Sequence, residues 1–144
     1  MPFMPLVPRG SAPPMAPYSP GAMAGDTIYV SGTLALDKDG RIVGKDDARA
    51  QTRHILRAIE AVLETGGAHL SDIAYNMIFI KRASDYGAVN EVYKEFFPGA
   101  APARFCIICE LVKPEFLVEI SSIAHSSTMP QEGTYLRAGA ANSP

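Results

Sequence analysis

The sequence predicts an α+β sandwich, one mixed sheet with two helices on one face, in the order β-β-α-β-α-β-β. Three observations predict it. Short β-prone segments at 27–31, 73–80, 103–111 and 117–125 carry apolar residues in alternation or in continuous runs. Two longer segments between them repeat apolar residues at the three-to-four spacing of an amphipathic helix. A chain of 144 residues, 47% hydrophobic and 19% charged, is long and apolar enough for one ordinary core. Helices gathered on one side of such a sheet give the α+β class.

Residues 1–17 form a proline-rich arm, and proline is dense as far as residue 21: Pro2, Pro5, Pro8, Pro13, Pro14, Pro17 and Pro20. Proline removes amide donors and pushes its neighbours to extended geometry, so the arm is expected to be irregular or polyproline-like. Within it, Leu6-Val7-Pro8-Arg9-Gly10-Ser11 spells a protease-cleavage sequence common in expression vectors, and is taken here as native. A single domain is expected over 18–127 and a mobile tail of small and polar residues over 128–144.

Thr27-Ile28-Tyr29-Val30-Ser31 is the first strand, closed by Gly32. The turn Asp37-Lys38-Asp39-Gly40 then returns the chain through a partner strand, Arg41-Ile42-Val43. Asp46 or Asp47 caps the first helix, whose buried stripe is Thr52, Ile55, Leu56, Ile59, Val62 and Leu63. Gly66-Gly67 stops it as a left-handed C-cap would, and His54, off the stripe, is expected at the surface. Ile73–Ile80 is a long strand covered on both faces or nearly so. Ser84 or Asp85 caps a second helix packing through Tyr86, Val89, Val92, Tyr93 and Phe96, and Pro98-Gly99 ends it. The last two strands, about 103–111 and 117–125, are expected to form a hairpin turning near Lys113-Pro114. Ile78, Ile80, Ile107 and Cys109 are too apolar to leave a sheet face in water, which predicts an oligomer.

Composition excludes several function classes. A formal charge of −2 gives no electrostatic reason to expect nucleic acid or an anionic membrane. No apolar run approaches the ~20 residues of a membrane span, and no secretory signal is evident, so a soluble cytoplasmic protein is expected. Cys106-x-x-Cys109 has no second pair, and odd spacing on a strand sends the sulfurs to opposite faces. His54, His69 and His125 fit no ligand spacing, and no phosphate-binding loop or nucleophile elbow is present, so no metal and no cofactor is expected.

Arg104, Cys106 and Glu119 remain as candidates for chemistry, with Tyr18 and Ser31 able to join them. Arg104 and Cys106 share a strand face by alternation. A guanidinium is permanently charged and its fork matches a carboxylate. Arg104 could therefore be paired, turned to water, or waiting for an anion. In a regular hairpin, Arg104 and Glu119 would lie on the order of 15 Å apart along the sheet, too far for an intrachain pair. If both serve one site, that site lies at a subunit boundary.

These residues resemble the Rid family, also called YjgF or reactive-intermediate deaminases, over residues 12–126. The marks are Ala16-Pro17-Tyr18-Ser19, Tyr29-Val30-Ser31-Gly32, Val89-Asn90-x-Val92-Tyr93-x-x-Phe96-Phe97-Pro98, Pro102-Ala103-Arg104 and Val118-Glu119-Ile120. Thr52-Arg53-His54, Ala103-Arg104-Phe105-Cys106-Ile107 and Leu111-Val112-Lys113-Pro114 resemble its RutC branch, described as 3-aminoacrylate deaminases of pyrimidine degradation. The resemblance implies a chorismate-mutase-like homotrimer with three sites between subunits and no cofactor. It implies that Arg104 holds a substrate carboxylate, that Glu119 positions or activates water, and that Tyr18, Ser31, Gly32, Asn90 and Cys106 line the substrate pocket. It implies hydrolysis of the enamine/imine 3-aminoacrylate to malonic semialdehyde and ammonia, with broad 2-imino acid deamination or a non-catalytic small-carboxylate binding or chaperone module as alternatives. Two departures stand out: the family's Val-Ser-Gly-Gln reads Val30-Ser31-Gly32-Thr33, and its Glu-Ile-Glu reads Glu119-Ile120-Ser121.

Overall fold

Six strands make one sheet in a computed structural model that describes residues 2–126; the expected tail at 128–144 lies outside the described residues. The strands are β1 (Met4–Leu6), β2 (Gly21–Ala24), β3 (Thr27–Thr33), β4 (Ile73–Ile80), β5 (Ala103–Ile108) and β6 (Val118–His125). They run side by side as β1-β2-β3-β6-β4-β5. Every neighbouring pair is antiparallel except β4 and β5. Helices α1 (Ala48–Thr65) and α2 (Tyr86–Phe96) complete the α+β architecture. No described helix is long and apolar enough to cross a membrane.

Helix α1 forms where the spacing predicts. The Asp47 side chain accepts the Ala50 amide at its start. The stripe Thr52, Ile55, Leu56, Ile59, Val62 and Leu63 is buried. Gly67 takes the left-handed conformation just beyond the helix, at φ +78°. At α2, Val89, Val92 and Tyr93 are buried, but Tyr86 is exposed, and Asp85 binds Arg82 instead of capping the helix.

Three expectations fail at the level of strand pairing. The partner of the Thr27 strand is Gly21–Ala24, not Arg41–Val43, whose only pairing is an isolated bridge between Ile42 and Leu36. Gly25, at φ +59°, makes the tight turn between β2 and β3. The proline-rich arm is not wholly irregular. Residues 4–6 add an edge strand on β2, where proline is tolerated, and Leu6 is buried in the core.

Most consequentially, β5 and β6 are not a hairpin. The α2 crossover brings β5 beside β4 in parallel, and β6 threads between β3 and β4. The intervening segment turns at 113–116, where the Phe116 amide donates to Lys113 O, but Gln51 ties it to α1 and not to a hairpin. The buried Gln51 amide donates to the carbonyls of Gly44 and Glu115 and accepts the Leu117 amide at 2.8 Å, which fixes the approach to β6.

The two sheet faces differ in cover. Ile78, Ile80, Ile120 and Ala124 point to the helices and are buried, so Ile78 and Ile80 do not belong to the uncovered face. The opposite face presents Tyr29, Tyr75, Met77, Phe79, Phe105 and Ile107. Tyr29, Phe105 and Ile107 are exposed, and Phe105 makes edge-to-face contacts with Tyr75 and Phe79, so this face is apolar and open in the single chain.

Candidate functional site

The sequence-predicted residues fall into two groups on opposite faces of the sheet. Arg104 lies opposite Asn76 on β4, and Glu119 lies opposite Phe79, three residues further along. Asn76 faces the helices and Phe79 the open side. With two strand spacings between β5 and β6, the Cα atoms of Arg104 and Glu119 sit on the order of 14 Å apart. The two residues are thus no intrachain pair, as expected, although the hairpin behind that expectation does not exist.

The first group is built around Arg104. Its Nη2 donates to Asn90 Oδ1 at 2.8 Å and to the Tyr86 hydroxyl at 3.3 Å. The guanidinium carbon lies 4.8 Å from the centre of the Tyr93 ring. Tyr93 is held from below: Asn76 Nδ2 donates to its hydroxyl at 2.9 Å, and Ser122 Oγ donates to Asn76 Oδ1 at 2.5 Å. This buried polar chain runs from β6 through β4 to α2 and ends under the cation. Sequence reasoning treated Tyr93 only as packing and passed over Asn76, a polar residue at an inward position of an apolar strand, which is the signal that could have found it.

Arg104's surroundings separate it from other arginines of the chain. Arg49 pairs with Glu91 at 2.8 Å, Arg53 with Glu95 at 3.1 Å and Arg82 with Asp85 at 2.8 Å. Among the described residues no carboxylate pairs with Arg104; its partners are an amide, a phenol and a ring face. Of the three alternatives, intrachain pairing is removed. Cys106 follows on the same face, half-buried, and burial raises its thiol pKa more than the nearby Arg104 charge lowers it. A protonated thiol is a poor nucleophile. Both cysteines are free.

The second group gathers at a break in β3. Val30 pairs with Ser122 and Thr33 with Ile120, so β3 spends one more residue than β6 and bulges at Ser31-Gly32. Hydroxyls take up the carbonyls there: Ser121 Oγ donates to Val30 O and Thr33 Oγ1 to Ser31 O, both at 2.8 Å. Ser31 Oγ reaches back to Ser19 O at 2.6 Å, tying the bulge to the arm beside Tyr18. The Glu119 carboxylate lies directly on Gly32, in the space a Cβ would fill, so only glycine permits this approach.

Glu119 thus lines an open cleft of about 540 Å³ together with Tyr18, Ser31, Gly32, Val112 and Lys113. Burial raises its carboxyl pKa above the usual carboxylate range. No described residue hydrogen-bonds or pairs with it. Tyr18 is exposed and lines the cleft. Asn90, Arg104 and Cys106 lie outside this cleft. His54 is not a surface histidine: it is half-buried, with Nε2 donating to Leu36 O at 2.6 Å.

Comparison with known proteins points one way. A family model described as Endoribonuclease L-PSP matches residues 9–126. YyfA of Yersinia pestis, a conserved Rid-family protein of unknown function, is 30% identical, with a TM-score of 0.80 over 85% of this chain and 98% of its own. Escherichia coli TdcF, solved with bound serine, is 26% identical, with a TM-score of 0.79 over 86% of this chain and 99% of its own. The YjgF gene product of Escherichia coli is also 26% identical, with a TM-score of 0.78 over 85% and 98%.

Proposed function

Since the chain belongs to the endoribonuclease L-PSP family, that of the Rid and YjgF proteins, we propose that it is a cofactor-independent deaminase of small enamine or imine carboxylates, with 3-aminoacrylate as substrate. The observation that carries this reading is Arg104, a permanent cation held in one orientation by neutral groups. Such a cation is free to take a substrate carboxylate in a bidentate, charge-assisted contact.

The chemistry asks little more. The enamine takes a proton at the carbon next to its carboxylate and becomes an iminium. Water adds to the iminium carbon, and the carbinolamine expels ammonia, leaving malonic semialdehyde. Arg104 holds the carboxylate, with Asn90, Cys106, Tyr18, Ser31 and Gly32 shaping the pocket. Glu119, with its raised proton affinity, supplies or removes the proton and orients the water. Held geometry and one acid–base group commonly supply several kcal/mol of barrier lowering.

Arg104 and Glu119 occupy opposite faces of one sheet, so the reading requires a second chain, whose Arg104 meets this chain's Glu119. The open apolar face supports such an assembly, and a homotrimer with sites between subunits is the form proposed. Thr33 and Ser121, which replace a glutamine and a glutamate of the broad imine deaminases, both bond to the backbone of the Ser31-Gly32 bulge. That favours a narrower substrate range. The serine bound to TdcF supports a second reading, deamination of 2-imino acids related to amino acids. For RNA cleavage, which the family's description carries, a chain of net charge −2 offers no electrostatic support.

The test is ammonia release from freshly generated 3-aminoacrylate and from a 2-imino acid, each against its spontaneous rate in water. The proposal expects acceleration, greater for 3-aminoacrylate, and a loss of about 10²-fold or more in Arg104→Ala. A folded Arg104→Ala protein with full activity would end it.

A further inference from the structure

We propose that a second cleft, between the N-terminal arm and α1, binds a small organic anion with an apolar body. This cleft holds about 380 Å³ and backs onto the Glu119 cleft through a common wall of Tyr18, Ser31, Gly32 and Leu34. Neither Arg104 nor Glu119 lines it. Its volume falls within the ~300–1,000 Å³ typical of small-molecule pockets.

The walls are built and largely apolar. One side is the arm, pinned at one end by β1, with Leu6 in the core, and at the other by the Ser31 bonds to Ser19 and Pro20. Between these anchors Pro8, Pro13 and Pro14 present apolar rings on a backbone stiffened by proline. The Pro8–Ser11 turn is closed by the Ser11 amide and hydroxyl, both donating to Pro8 O, with Gly10 at φ +74°. The other side is the α1 surface at Ala58, Ala61 and Val62.

Charge selects the ligand. Arg9 comes from the arm and Arg57 from α1, and both line the cleft. Neither has a carboxylate partner among the described residues, unlike Arg49, Arg53 and Arg82. No aspartate or glutamate lines the cleft. Asp37, the acid next to the Leu36 wall, has an oxygen turned to the amides of Asp39 and Arg41. His54 spends its Nε2 proton on Leu36 O, which fixes the ring in the wall. Two guanidinium-bearing side chains without carboxylate partners, one from each wall of a largely apolar cleft, fit a compact anion, such as an aromatic carboxylate or sulfonate, and disfavour cations.

The probe is 8-anilinonaphthalene-1-sulfonate, titrated by fluorescence into the full-length protein. The expected result is one saturable site per chain whose affinity falls with rising salt. Arg57→Ala should weaken binding about tenfold, the loss expected of one charge-assisted contact. Ala61→Phe, which fills the cleft from α1, should abolish it, and Arg104→Ala should leave it unchanged. The neutral analogue N-phenyl-1-naphthylamine should bind more weakly. No saturable binding, equal binding of the neutral analogue, or an affinity unchanged in either cleft variant would overturn the proposal. So would loss of binding in Arg104→Ala, which would place the dye at the other site. Should Ala61→Phe unfold, Arg57→Ala, an exposed change, decides alone.

Discussion

The two halves of the candidate site differ in almost every physical respect. Arg104 stands on the edge strand β5, on the face turned to the helices, with its charge permanent and its orientation set by Asn90, Tyr86 and Tyr93. Glu119 stands on the interior strand β6, on the open face, with a titratable charge and no partner among the described residues. One half is a cation held in place by neutral groups; the other is a carboxyl whose proton affinity is raised by burial. Their contrast fits a division between binding and acid–base work. Under the proposed function, their placement on opposite faces means that neither half is a complete site alone.

The contrast can be broken at each half in turn. Glu119→Gln should give the largest effect on turnover, a loss of about 10²–10⁴-fold in kcat with substrate affinity little changed, because the carboxylate contact lies at Arg104. The same residue should leave a pH signature in stability. Burial raises the folded carboxyl's proton affinity above its unfolded value, so its contribution is fully present below pH about 4 and is lost as pH rises through the folded pKa. Denaturation of Arg104→Ala and of the Arg104→Ala, Glu119→Gln double variant isolates this term from any neighbouring guanidinium. The double variant should be the more stable at pH 7, and the gap should close on acidification. A gap that widens towards acid would reverse the sign of the account.

Gly32→Ala comes next. The added methyl claims the space of the Glu119 carboxylate and displaces it, so kcat should fall about tenfold to a hundredfold while KM stays close to that of the native chain. A change confined to KM would mean that Gly32 serves binding. The smallest effect is expected at Tyr93. Tyr93→Leu removes the ring beneath Arg104 and should raise KM by up to about tenfold with kcat nearly unchanged, whereas Tyr93→Phe keeps the ring and should recover most of the loss. Equal effects of the two variants would assign the role to the Asn76 hydrogen bond instead of the ring.

Much of this was legible in the sequence, for identifiable reasons. Helix α1 and strands β4 and β6 announce themselves through local periodicity, and burial rewards that periodicity directly. Arg104 and Glu119 stand out because a charge at the start or in the body of an apolar strand needs a reason. What could not be read is set by contacts distant in sequence. Residues 103–108 look alike whether they pair with β6 or with β4, and only the α2 crossover decides. The bulge at Ser31-Gly32 leaves no local trace, since its hydroxyl partner Ser121 lies 91 positions from the carbonyl it binds. His54 looked like a surface residue because it falls off the apolar stripe of α1, and the Leu36 carbonyl that holds it lies 18 positions away.

The central claim is that Arg104 of one chain serves Glu119 of another. Arg104→Ala and Glu119→Gln proteins, each inactive alone, can be co-refolded at equal amounts and assayed with 3-aminoacrylate. Random assembly of adjacent chains should restore native pairs of residues at about one quarter of the sites, and activity in proportion. A mixture no more active than the two variants measured separately would contradict the claim, because it would mean that both residues act from the same chain.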